Sequence, residues 1–154
     1  MICLSAGAVA AVLAFDAFTL SWVHSAQKSE IQEDWRVESG GLRVVETRIK
    51  GSAAGYDPPP DAVLTDGWWR YDPHVPPLAE VRLARSGSGS VADWRICAQN
   101  ACKPVAAYLP AIPEAAAGTP YLLRACGEKD GPFPFWHRYI TENSLTRAPE
   151  GPIK

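Results

Sequence analysis

Two ionisable residues fall where the sequence predicts apolar faces. In the run Phe18-Thr-Leu-Ser-Trp-Val-His-Ser25, a period of two puts Phe18, Leu20, Trp22 and His24 on one side of a strand. A following strand carries Ile31, Glu33, Trp35 and Val37 on one side. An imidazole or a carboxylate on such a face is costly unless paired. If residues 25–30 form the connection, His24 faces Ile31 and Trp22 faces Glu33. His24 and Glu33 are then diagonal neighbours within hydrogen-bond reach. A carboxylate beside an imidazole raises its pKa and fixes its tautomer. The pair is either a clasp between two strands or the centre of a site. Ser25 points to the other face, so a Ser25–His24–Glu33 triad needs the loop to turn Ser25 back. No Gly-x-Ser-x-Gly elbow accompanies it. No enzymatic activity is assigned, and a hydrolase using His24 stands as an alternative.

The next run, Leu42 to Lys50, follows a Gly40-Gly41 hairpin signal and admits two registers. A two-residue turn places Arg48 opposite Glu33 and Glu46 opposite Trp35, which makes a polar cluster among tryptophans. A three-residue turn that includes Ser39 places Val45, Thr47 and Ile49 on that face instead. A slip of one residue exchanges the faces completely. Beyond Lys50, Gly51 and Gly55 flank small residues, and free backbone amides there would suit an anion, with Arg48 and Lys50 adding charge. A tight loop leading into Pro58-Pro59-Pro60 accounts for the same residues. The candidate ligand-binding set is therefore His24, Ser25, Glu33, Glu46, Arg48, Gly51 and Gly55, with a small organic anion as the ligand. His24, Glu33 and Glu46 carry donor types for a divalent cation at a spacing that is not specific, so no metal and no cofactor is assigned. In Trp68-Trp69-Arg70-Tyr71 the adjacent tryptophans face opposite sides, and an exposed one near Arg70 would line an interaction surface.

The elements that position these residues are short. The chain has 154 residues, 14 prolines and 12 glycines, which disfavours long helices. Its net charge of −2 excludes a basic footprint for nucleic acid. Strand signals cover Phe18–His24, Ile31–Val37, Leu42–Lys50, Trp68–Tyr71, Glu80–Ala84, Val91–Cys97 and Tyr121–Cys126. Ser86–Ser90 reads as a loop and Ala115–Ala117 as the start of one helical turn. The expected fold is all-β, a small antiparallel β-sandwich or partly open barrel with proline-rich loops and little helix.

Residues 1–17 read as a signal-like apolar leader, uncharged from Ile2 to Ala14, or else as a buried N-terminal segment. Residues 18–126 read as a single β-domain and residues 127–154 as a proline-containing C-terminal tail. A periplasmic or exported location is expected. Cys97 and Cys102 bracket a polar turn and suit a disulfide across a hairpin. Cys126 competes for either partner. With Cys3 lost in a leader, three cysteines remain and one stays free. Cys-x4-Cys with one distant cysteine is incomplete for a closed zinc site.

Several blocks resemble one bacterial family: Phe18–Ser25, Glu33-Asp-Trp-Arg-Val37, Glu46-Thr-Arg-Ile-Lys-Gly51, Gly51 to Pro60, Asp66-Gly-Trp-Trp-Arg70 and Leu83-Ala-Arg-Ser-Gly87. It is the domain-of-unknown-function family numbered eighteen-fifty, and the resemblance covers about Phe18 to Cys102. The chain departs from its pattern at Ser52-Ala53-Ala54, where a further glycine is usual, and at Ala26, where a valine is usual. The resemblance implies an exported or membrane-associated protein beside TAXI-type TRAP transporters, which take up organic anions. It implies an accessory role, by contact with the transporter's membrane subunit or solute-binding protein. It supplies no catalytic residues.

Overall fold

The computed structural model describes residues 1–24, 28–51, 57–85, 94–111 and 118–127. Eleven strands are described: β1 Ile2–Ala6, β2 Val9–Leu13, β3 Ala17–Val23, β4 Glu30–Glu38, β5 Gly41–Lys50, β6 Val63–Thr65, β7 Trp68–Tyr71, β8 Val81–Leu83, β9 Arg95–Ala98, β10 Ala101–Pro104 and β11 Tyr121–Ala125. A 3-10 turn spans Val105–Tyr108. The strands form two antiparallel sheets, β2-β1-β11-β8 and β10-β9-β3-β4-β5-β7-β6. Both are open, so the fold is an all-β sandwich and not a closed barrel. The loop at Ser86–Ser90, the helical turn at Ala115–Ala117 and the tail beyond Gly127 lie outside the described residues.

Alternation builds the inner faces. Leu20, Ile96 and Leu42 from the larger sheet meet Ile2, Leu4, Leu83 and Leu123 from the smaller one, each no more than 2% exposed. Burying an aliphatic side chain of this size contributes about 1.5–3 kcal/mol. Residues 2–13 form the β1–β2 hairpin, and β1 pairs with β11 from Ile2↔Ala125 to Ser5↔Leu122. The sequence signal for a leader, a small apolar run, is also what a strand buried between two neighbours requires.

Cys97 and Cys102 are directly opposed in the β9–β10 hairpin and form the expected disulfide. The expectation of one free cysteine is corrected. Cys3 bonds Cys126, because β1 lies beside β11 and brings two residues 123 apart in sequence within reach.

The hairpin between β4 and β5 turns at Ser39-Gly40, one residue earlier than the Gly40-Gly41 signal suggests, since Glu38 pairs with Gly41. Gly41 is needed for a different reason. Its φ is +141°, and a Cβ there would lie 2.1 Å from the carbonyl oxygen of Leu78. Leu42 and Leu78 exchange backbone hydrogen bonds of 2.8 Å beside this contact.

Candidate functional site

Register decides which candidates meet. β3 and β4 pair as Phe18↔Trp35, Leu20↔Glu33 and Trp22↔Ile31. Glu33 thus faces Leu20, not Trp22, a shift of two residues from expectation. The cause is a tighter hairpin: the His24 N–H donates to the Ser29 carbonyl at 2.8 Å, so pairing runs closer to the turn. His24 therefore stands four residues along the strand from Glu33, about 13 Å at the strand rise. The two do not form the expected clasp. The Nδ1 atom of His24 is buried with no hydrogen-bond partner. Ser25 lies outside the described residues.

Between β4 and β5 the register changes at a bulge. Trp35 pairs with Val44 but Asp34 pairs with Glu46, so Val45 is the extra residue on β5. The early turn and the bulge together put Thr47 opposite Glu33 and Ile49 opposite Ile31. That is the pairing of the three-residue-turn register at Thr47 and Ile49, reached by another route, with Val44 in place of Val45 on the buried face. β7 continues the rows, Tyr71 beside Thr47 and Trp69 beside Ile49.

Glu46 and Arg48 consequently project from the opposite face. There Arg48 makes a bidentate pair with Asp34, both N–H···O contacts at 2.8 Å, and the Thr19 hydroxyl donates to Asp34 at 2.6 Å. Arg70 donates to Glu46 from β7. A charge ladder of Asp34, Arg48, Glu46 and Arg70 thus crosses β4, β5 and β7. Its carboxylates, Asp34 and Glu46, also line a shallow groove of about 560 Å³, together with Thr19, Arg36 and Val45. Its two carboxylates are already paired with guanidinium groups.

Gly51 ends β5 with φ +73°, and its N–H donates to the Gly67 carbonyl at 3.2 Å. It borders a cleft of about 330 Å³ formed with Pro58, Pro59, Pro60 and Trp69. Asp57 lines that cleft, which is the wrong charge for an anion site. Gly55 lies outside the described residues. The expected anion set is thus distributed over two faces and a strand end.

Glu33 is the candidate that keeps an unusual environment. Burial pushes its carboxyl above the ordinary carboxylate range, partly offset by the Trp35 indole, whose Nε1–H donates to it at 3.1 Å. Burial raises the Tyr71 phenol first, the Glu33 charge raises it further, and a hydrogen bond with Thr47 pulls it back. Thr47 and Tyr71 were not among the sequence candidates. Their period-two pattern was visible, but β6 intervenes before β7, so no local signal joins Tyr71 to Glu33. Among the described residues, no group of three or more His, Cys, Asp and Glu side chains converges as a metal site.

Residues 18–105, more than half of the chain, match the family described as a domain of unknown function, DUF1850. The chain belongs to this family. No curated protein and no solved structure matches it. The DUF1850 segment includes every strand that contributes to the Glu33 rows, β3, β4, β5 and β7. Strands β1, β2 and β11, which cover the core, lie outside it.

Proposed function

We propose that this protein is an exported, non-enzymatic β-domain that assists a TAXI-type TRAP solute uptake system by protein contact. Membership of DUF1850 carries the reading, since the resemblance to that family implies such an accessory role. Export is supported by two disulfides, Cys3–Cys126 and Cys97–Cys102, which persist in oxidising compartments. No helix among the described residues is long and apolar enough to cross a membrane. The organic-anion reading draws no support from Arg48, whose terminal nitrogens are held by Asp34.

The test uses tagged protein from its native host. Capture of the transporter's membrane subunit or solute-binding protein, with uptake lowered on deletion, is the expected result. Capture of neither, with uptake unchanged, overturns the reading.

A further inference from the structure

The inner face of the larger sheet sets one carboxylate within an aromatic floor. Glu33 lies between Leu20 and Thr47, and Tyr71 follows Thr47 in the same row. The adjoining row across the same four strands reads Trp22, Ile31, Ile49, Trp69. Ile31 and Ile49 are fully buried, while Trp22, Trp69 and Tyr71 are half-buried and pack on them. Trp35 closes the other side and donates its indole N–H to Glu33.

Among the described residues Glu33 enters no ion pair. Arg48, which one sequence register would have placed opposite it, projects from the other face and is engaged by Asp34. An ionised carboxylate withdrawn from water without a cation is costly. Aromatic faces add further negative potential. Both features favour the same kind of ligand. Rings receive the alkylated surface of an ammonium group, and a carboxylate balances its charge. A divalent metal would need several oxygen donors, where this face presents one carboxylate.

We propose that this face binds a small organic cation bearing a substituted ammonium group, with Glu33 as counter-ion and Trp22, Trp69 and Tyr71 as walls. The inference is independent of the transport reading, and it reverses the ligand charge expected from the sequence.

The full chain is titrated with choline chloride and with tetramethylammonium chloride at neutral pH, followed by tryptophan fluorescence and calorimetry. The neutral tert-butyl isostere of choline serves as the comparison. Saturable binding of the cations is expected, with the isostere about tenfold weaker or more. Glu33→Gln weakens choline binding by a similar factor, and Glu46→Gln, on the opposite face, leaves it unchanged. Should Glu33→Gln fail to fold by circular dichroism, Trp69→Leu gives the second reading and weakens choline binding. No saturable response to either cation, equal affinity for the isostere, or folded variants that bind like the parent would each overturn the proposal.

Discussion

Trp35 and Glu33 lie two residues apart on one face of β4, and the Trp35 indole N–H donates to the Glu33 carboxylate at 3.1 Å. The bond keeps a mostly buried anion hydrogen-bonded without neutralising it. Burial outweighs the bond and raises the carboxyl, so stability depends on pH in the unusual direction for a carboxylate.

The folded Glu33 carboxyl has a pKa above its ordinary value of 4.5, so the folded state holds the proton more tightly than the unfolded chain. Glu33's contribution is most favourable below the unfolded value. It falls as pH rises through the interval up to the folded value, and the loss persists above it. Glu33→Gln is expected to flatten this fall and to raise the Tm at neutral pH, since the amide still accepts from Trp35. Tm measured from acidic to neutral pH for both proteins checks this; parallel curves would contradict it.

The same variant reports on Tyr71. Its phenol is raised mainly by burial and secondarily by the Glu33 charge. In Glu33→Gln it is expected to titrate lower than in the parent while staying above the ordinary value of 10.0, because burial remains. Ultraviolet difference titration of the parent and of Glu33→Gln, with Tyr71→Phe to assign the signal, measures it.

The two disulfides differ in the loops they close, with sequence separations of 123 and 5. Chain-entropy arguments give about 5 kcal/mol for the Cys3–Cys126 cross-link and about 2 kcal/mol for Cys97–Cys102. The paired serine variant at positions 3 and 126 is therefore expected to lose more stability than the pair at 97 and 102. Urea unfolding of both variants tests the order, and a reversal would show that denatured-state entropy does not dominate.

Gly41 and Gly40 are neighbours with different constraints. A Cβ at Gly41 meets the Leu78 backbone, whereas at Gly40, φ +103°, nothing lies within 4 Å. Gly41→Ala is expected to cost about 2–3 kcal/mol, by clash and by strain. Gly40→Ala carries the conformational cost alone, about 1 kcal/mol. Equal losses in denaturant unfolding would remove the close approach as the cause.

Asp34 accepts from Arg48 twice and from Thr19 once. Asp34→Ala removes both hydrogen bonds from a mostly covered guanidinium, leaving Glu46 at 3.8 Å as its counter-charge, and is expected to cost about 2–3 kcal/mol. Arg48→Met in that background should recover part of the loss. A double-mutant cycle reads the coupling, and additive losses would mean that the pair is not a unit.

Much of the fold is legible in local pattern. Alternation locates β3, β4, β5 and β7 to within a residue or so, because each strand's two faces meet different environments. The Cys97–Cys102 bridge is legible because Ala98 and Ala101 flank a two-residue polar turn. β1 and β2 are not, since an apolar run of small residues has no period that separates a buried strand from a leader. The Cys3–Cys126 bond depends on that hairpin lying beside β11.

At the candidate site, strand parity is enough to put Glu33 on an apolar face, since Ile31, Trp35 and Val37 share it. What stands around it follows from how the strands pair. A hairpin closing at Ser29, a turn one residue early and a bulge at Val45 set the pairing, and each shifts register in steps that residue types do not encode locally. Those shifts parted His24 from Glu33, sent Arg48 and Glu46 to the far face, and brought Thr47 and Tyr71 beside Glu33. Parity along a strand is local, whereas the partner across the sheet depends on the whole path between the two strands.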